Sequence, residues 1–186
     1  MEAAVELFSR QGYEATGVKD IAVAASAPMG SFYFHFPGGK QELCVAALGL
    51  GADAFAATLR RTLEIEPVED ALAACPLLLA EALPKSDWAD GCPVATTALE
   101  SVTRAPALRA AAAEAFSRWK DVVGQRLVEA GMTTERAEEL ASSAIALIEG
   151  AEMLARVEAD PAPLLHAAST LRTLTRVAML ESAAQA

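Results

Sequence analysis

The sequence predicts an all-α protein of about nine helices, and three observations support this fold class. Apolar residues recur three or four positions apart along almost the whole chain, which is the period of one face of an α-helix. Hydrophobic residues make up 53% of the 186 residues, and many are alanine and leucine, which favour helices. Proline and glycine fall between the periodic segments, and we find no convincing strand alternation.

The first three predicted helices are short and form a helix-turn-helix head. The first begins near residue 4 and ends at Gly12, because glycine readily closes a helix in the left-handed conformation. The second is predicted over residues 18–25, and residues 26–27 form the turn. Pro28 belongs in the first turn of the third helix, where its missing N–H costs no hydrogen bond.

Six longer helices follow the break at residues 37–39, which read Pro-Gly-Gly. Their predicted ranges are 40–63, 67–83, 94–103, 106–130, 134–157 and 163–182. The longest loop-like stretch lies between the second and third of these. We therefore predict two domains, a helix-turn-helix head over residues 1–45 and a helical body over residues 46–186.

The third helix carries the chemistry of the head. Residues 18–36 hold four of the chain's ten aromatic residues. A short helix with polar and aromatic groups on its outer face can enter the major groove of DNA, where each base pair presents its own pattern of polar atoms and methyl groups. We expect Phe32 and Phe36 to pack in the core of the head. The residues predicted to contact DNA are Thr16, Lys19, Pro28, Met29, Gly30, Ser31, Tyr33, His35 and Lys40.

Different contacts are expected from these positions. The Tyr33 hydroxyl can donate to a phosphate, and Pro28 and Met29 could meet a thymine methyl group. Lys40 combines a cation with the backbone N–H groups at the start of a helix, which suits a phosphate. The partner predicted for this surface is a double-stranded DNA operator.

The charge of the chain is unusual for a protein that binds nucleic acid. The net charge is −10, and residues 1–48 hold three basic side chains against five acidic ones. Affinity for DNA therefore has to come from a few well-placed groups and from a second subunit. The same charge leaves an alternative open, namely a helical protein that binds a small molecule or a partner and whose head does not read DNA.

The sequence does not match residue patterns for catalysis, metal binding or cofactor binding. The three cysteines lack a C-x-x-C spacing, and two histidines are too few for a histidine-based metal cluster. The sequence Ser117-Arg-Trp-Lys120 matches S-x-x-K, but it lies in a helical run without the partner motifs. We therefore predict no enzyme activity, no metal and no cofactor. We also predict no signal peptide, no membrane span and a cytoplasmic location.

Several segments together resemble the DNA-binding head of TetR-type transcriptional regulators. They are residues 3–13 (AAVELFSRQGY), Thr16, Asp20-Ile21-Ala22, Ala25, Gly30-Ser31-Phe32-Tyr33, His35-Phe36 and Lys40-Gln41-Glu42-Leu43. In the body, Gly91-Cys92-Pro93-Val94 before Ala98-Leu99-Glu100 resembles the LmrA/YxaF-type branch of that family. The sequence departs from the family pattern at Gly17, where threonine or serine is usual, and at Ser26, where the turn glycine is usual.

The resemblance implies a ligand-responsive repressor. Such a protein binds a palindromic operator as a homodimer and is released when a small hydrophobic effector binds in its body. For this branch the effector would be a flavonoid-like or drug-like molecule.

The body offers residues for such an effector. Carboxylates on alanine- and leucine-rich helices are costly to bury without a partner, and aromatic or polarisable side chains suit a planar apolar ligand. The residues predicted to bind the effector are Trp88, Glu100, Phe116, Trp119, Glu149 and Met153. The alternative, that these are simply core and surface residues, stays open.

The last two helices are predicted to form the homodimer. Residues 134–157 and 163–182 carry long apolar faces, which suit a four-helix interface across a two-fold axis. The apolar positions are Leu140, Ala144, Leu147, Ala151 and Leu154 in the first helix, and Leu164, Ala168, Leu171, Leu174 and Ala178 in the second.

Overall fold

The computed structural model describes residues 1–101 and 104–185, and these ranges contain helices but no strand. The α-helices are α1 Glu2–Ala15, α2 Val18–Ala24, α3 Met29–His35, α4 Gly39–Thr62, α5 Val68–Ala82, α6 Pro93–Ser101, α7 Pro106–Glu129, α8 Thr134–Glu158 and α9 Ala162–Gln185. A short 3₁₀ helix, Leu83–Ser86, follows α5. The all-α prediction is confirmed. The predicted end of the sixth helix, residues 102 and 103, lies outside the described residues.

The chain divides into two compact units. Unit 1 contains Met1–Ala54 and Asp90–Ala115, and unit 2 contains Phe55–Ala89 and Phe116–Ala186. These bounds differ from the predicted domains because α6 packs against α1, within unit 1. The predicted functional division at residues 45 and 46 stays a prediction.

In unit 1, the end of α1 is shaped by a glycine. Gly12 has φ +78° and ψ 179°, a conformation that other residues rarely adopt, and it bends the chain within α1. The chain then returns, so that the ring of Tyr13 lies 6.2 Å from that of the buried Phe8. The Thr16 hydroxyl donates a 2.6 Å hydrogen bond to the Gly12 carbonyl oxygen. Gly12 therefore interrupts the helix at the predicted position, but α1 resumes beyond it and ends at Ala15, and ψ lies outside the left-handed helical region that was predicted.

In unit 2, α5 packs against both α8 and α9. Ion pairs reinforce the α5–α9 contact: Arg172 Nε lies 2.5 Å from an Asp70 carboxylate oxygen, and Arg176 pairs with Glu69. Trp119 of α7 is only 1% exposed and anchors an aromatic cluster. Its ring centroid lies 4.7 Å from that of Phe55 and 5.3 Å from that of Phe116.

The apolar faces predicted for the homodimer lie mostly in the core. Seven of the ten positions are buried within the chain: Leu140, Ala144, Ala151, Leu164, Ala168, Leu171 and Ala178. The helical spacing of apolar residues in α8 and α9 identified mainly the face that packs inside the chain. It did not identify the second, exposed apolar face of these helices. The large apolar side chains that α8 and α9 do expose are Met153, Leu154, Val157, Leu165, Leu174, Val177 and Leu180. Of the predicted positions only Leu154 and Leu174 belong to this exposed set, and the homodimer interface itself stays a prediction.

By length and composition, α4 is the one helix among the described residues that could cross a membrane. Its most apolar 18-residue window has a mean hydropathy of 1.5, and 44% of that window is buried inside the protein. Core helices of soluble proteins reach the same values. The absence of a membrane span stays a prediction.

Candidate nucleic-acid interface

The short helix α3 buries one aromatic ring and exposes two. Phe32 is 7% exposed, whereas Tyr33 is 58% and Phe34 is 80% exposed. Since successive residues of a helix are about 100° apart, Gly30 and Phe34 lie on the side opposite Phe32. A side chain at Gly30 would meet open space. The outer line of α3 therefore consists of a glycine followed, one turn later, by an exposed phenylalanine.

Ring contacts hold these aromatics in place. The Phe32 centroid lies 4.9 Å from Tyr33 and 5.8 Å from Phe36. The ring of Phe34 meets that of His35 edge to face at 5.1 Å. The sequence prediction included Tyr33 and His35 but not Phe34. The helical wheel was the available signal, because it places Phe34 opposite the core residue Phe32.

The turn before α3 uses a serine in a conformation that glycine prefers. Ser26 has φ +50°, and its N–H donates to Val23 O at 3.0 Å. The N–H of Ala27 donates to Ala22 O at 2.9 Å, so the turn closes α2 as a Schellman motif. The chain then reaches Pro28, which precedes the first residue of α3 instead of lying within the helix as predicted.

The predicted DNA contacts of α3 and α2 differ in exposure. Pro28, Gly30 and His35 are exposed, and Met29 and Ser31 are half-buried. Lys19 of α2 is also exposed. All six remain accessible to some degree, and their contacts with DNA stay predictions.

Two other predicted phosphate contacts are engaged inside unit 1. Thr16 is fully buried, with its hydroxyl bonded to Gly12 as described above. Lys40 Nζ donates to the carbonyl oxygens of Tyr13 at 2.8 Å and Thr16 at 3.2 Å, and it lies 4.2 Å from the centre of the Tyr13 ring. Carbonyl groups at the end of a helix lack helical partners and attract cations. The burial of Thr16 contradicts its predicted phosphate contact, whereas Lys40 is half-buried and its phosphate contact stays a prediction.

Glu100 was predicted to bind an effector, but it lies in unit 1 against α1. Its carboxylate accepts a hydrogen bond from the backbone N–H of Glu14 at 3.0 Å. A Cβ atom on Gly12 would lie 2.3 Å from Glu100 Oε1. Arg10 of α1 also pairs with Asp90 at 2.7 Å, just before α6. This contact between α1 and α6 explains the placement of Glu100, which helical spacing alone could not show.

The other predicted effector residues lie in unit 2, where they separate into groups. Phe116 and Trp119 belong to the aromatic cluster with Phe55, which was not predicted. Trp88 is half-buried against the core cluster that contains Ala151 and Ala155. Met153 is 55% exposed and lies on the outer face of α8.

Glutamates lie close to a buried thiol in unit 2. Glu152 is buried and Glu149 is half-buried. Burial raises the pKa of the Cys75 thiol to about 12, and the negative charges of Glu152 and Glu149 act in the same direction. The two carboxylates therefore lie near enough to Cys75 to disfavour its thiolate.

Among the grooves on the described residues of unit 2, two exceed 500 Å³. One has a volume of about 750 Å³ and lies along α4 and α7, where Arg60, Arg118 and Arg126 alternate with acidic residues. The other, of about 510 Å³, is mainly apolar and includes Ile65, Leu77 and Leu78. The six predicted effector residues line neither groove.

Together, the helix-turn-helix arrangement in unit 1 and the exposed face of α3 define the class of a helix-turn-helix transcriptional regulator. Residues 1–47 match the family described as bacterial regulatory proteins of the tetR family. Residues 67–170 match the C-terminal domain of LmrA/YxaF-like transcriptional regulators.

Individual relatives are similar in sequence to nearly the whole chain. The chain is 32% identical to the transcriptional regulator LmrA of Bacillus subtilis, covering 95% of this chain and 94% of that protein. It is 31% identical to the regulator YxaF of the same species, covering 95% and 93%. A TetR regulatory protein from Rhodobacter sphaeroides has the same fold, with a TM-score of 0.82, 25% identity and coverage of 92% and 94%.

The chain therefore belongs to the TetR family of transcriptional regulators and carries an LmrA/YxaF-like C-terminal domain. The predicted family is confirmed. So is the prediction that the chain is not an enzyme, because these relatives are transcriptional regulators. Because regulators of this family bind DNA through a helix-turn-helix, membership also disfavours the alternative of a head that does not read DNA.

Proposed function

We propose that this protein is a ligand-responsive repressor in the cytoplasm that binds a palindromic operator as a homodimer and is released by a small hydrophobic effector. The observation that carries the proposal is the outward face of α3. It exposes the consecutive side chains of Tyr33, Phe34 and His35, and Lys19 of α2 is exposed as well. A surface of this size and chemistry fits the major groove.

The apolar face of α8 and α9 supports the homodimer. Val157 is 81% exposed, and six further large apolar side chains are partly exposed on the same two helices. Burying apolar surface stabilises an association by about 25 cal/mol per Å². Two-fold symmetry of the protein would then be matched by two-fold symmetry of the operator.

The interior of unit 2 supports an effector of mixed character. Phe55, Phe116 and Trp119 form an aromatic cluster, and the carboxylates of Glu149 and Glu152 act electrostatically on the buried Cys75 thiol. These groups favour a planar aromatic compound with a hydrogen-bond donor or a cationic group. FadR from Bacillus subtilis, which shares the fold with a TM-score of 0.67, was solved in complex with stearoyl-CoA. Long-chain acyl compounds therefore belong in the same screen.

The DNA part of the proposal is tested by selecting duplexes from a random pool with the purified protein. We expect enrichment of an inverted repeat, and the logarithm of the binding constant should fall linearly with the logarithm of salt concentration. Light scattering should show a dimer. A monomer, or the absence of any enriched duplex, would contradict the proposal.

The effector part is tested by screening compounds for release of the selected duplex. For a cationic aromatic compound that releases the duplex, Glu149→Gln should weaken the response and leave DNA affinity unchanged. Glu138→Gln, an exposed carboxylate on the same helix, is the matched control. Equal responses of the two variants would contradict the role given to Glu149.

A further inference from the structure

Phe34 is the most exposed aromatic side chain in the part of the chain that the structure describes. At 80% exposure its ring contributes little to the core of unit 1, which Phe32 fills from the opposite side of α3. An exposed apolar ring is unfavourable in water, so a function at this position should involve its burial. The chain thus places a large apolar group at the centre of its recognition surface.

The surroundings of Phe34 allow a base pair to approach closely. Gly30 lies one turn earlier on the same side of α3, and the space beside it is open. The contact with the ring of His35, at 5.1 Å, limits the orientations of the Phe34 ring. The ring is therefore both accessible and oriented before any DNA arrives.

The chemistry of the ring restricts what it can recognise. Phenylalanine neither donates nor accepts a conventional hydrogen bond, so it gains nothing specific from a phosphate or from the polar edge of a G·C pair. The major groove offers one prominent apolar group, the C5 methyl of thymine. We propose that Phe34 determines specificity by packing on a thymine methyl group in each half-site of the operator. This inference rests on the proposed function, because it requires α3 to lie in the major groove.

The test replaces single thymines with deoxyuridine, which removes only the methyl group. The probe is the duplex enriched from the random pool. Each thymine position is exchanged in turn, first in one half-site and then in both half-sites. At one thymine position, exchange in a single half-site should lower the affinity of the native protein about fourfold, and exchange in both half-sites about fifteenfold. These factors are expected for burying one methyl group per half-site. For Phe34→Ala the same exchange should change affinity less than about twofold.

Two variants are controls for this comparison of the thymine and deoxyuridine duplexes. Tyr33→Phe removes a hydroxyl predicted to donate to phosphate, so it should weaken binding to both duplexes by the same factor. Leu99→Ala removes an equally exposed apolar side chain from α6, 77% exposed, and should change neither affinity. If Phe34→Ala folds poorly by circular dichroism, Phe34→Asn, which also lacks a large apolar side chain, serves in its place.

The outcomes separate this inference from the proposed function. An enriched half-site without thymine, or one in which no deoxyuridine exchange matters to the native protein, overturns the role of Phe34 alone. An equal penalty in the native protein and in Phe34→Ala does the same, and places the methyl contact on another residue. If no duplex is enriched, the proposed function fails and this inference fails with it.

Discussion

The exposed aromatic residues of α3 in unit 1 and the aromatic cluster of unit 2 have opposite environments. In α3, the rings of Tyr33 and Phe34 point away from the core, whereas in unit 2 Trp119 is buried between Phe55 and Phe116. The second group stabilises the fold, since aromatic pairs add to the free energy of burial. The first group contributes little to stability, and we assign it to recognition. Substitutions in the two groups should therefore change different properties.

The largest effect is expected at Trp119. Trp119→Ala removes a buried ring and its two aromatic partners' contacts, and it should lower the free energy of unfolding by about 3–5 kcal/mol. Urea denaturation followed by circular dichroism measures this change. Phe34→Ala is the matched comparison and should stay within about 0.5 kcal/mol of the native protein. Similar losses for both variants would remove the distinction between the two groups.

The next effect is expected at Gly12. An alanine there would adopt an unfavourable backbone conformation at a cost of about 1–3 kcal/mol, and its Cβ would also displace the Glu100 carboxylate. Gly39→Ala is the control, because φ is also positive there (+74°) but the space is open. Thermal unfolding should show Gly12→Ala as the less stable variant. Equal losses would mean that the contact between α1 and α6 is not tightly packed.

A smaller effect is expected at Lys40. Lys40→Met removes the hydrogen bonds to the carbonyl groups of Tyr13 and Thr16, and it should cost about 1–2 kcal/mol of stability. Lys19→Met, on the exposed face of α2, should change stability by less than about 0.5 kcal/mol. If Lys40→Met instead lowered only DNA affinity, the lysine would act on phosphate, as the sequence predicts.

At neutral pH the smallest effects concern the cysteines. Burial raises the pKa of Cys44 and of Cys75 to about 12, so the folded state holds these protons more tightly than the unfolded chain. Stability should therefore be unaffected at neutral pH and fall as pH rises from about 9 towards 12. The half-buried Cys92 should react first with a thiol reagent at pH 8, as read by mass spectrometry. Faster labelling of Cys75 would contradict its burial.

The sequence predicts local structure better than contacts between helices. The helical period and the breaks at proline and glycine locate the helices, and Gly12 has the expected positive φ, although it kinks α1 instead of ending it. By contrast, spacing cannot show that Lys40 bonds to carbonyl groups at the end of α1. Nor can it show that Glu100 lies against α1.

The homodimer faces illustrate the same limit. Helices α8 and α9 have apolar residues on more than one side, and periodicity alone does not indicate which side packs within the chain. Leu171 and Leu174, only three residues apart, were assigned to one face, yet the first is buried and the second is exposed. Phe34 was assigned neither to the core nor to the DNA-binding face, because its residue type fits both environments.

The central claim is that α3 reads DNA through its exposed aromatic face. The most direct measurement is fluorescence anisotropy of the selected, labelled duplex, titrated with the native protein and with a Tyr33→Ala, Phe34→Ala double variant that is equally stable. We predict saturable binding of the native protein in preference to a scrambled duplex, and loss of that preference in the double variant. An unchanged preference in the double variant would contradict the claim.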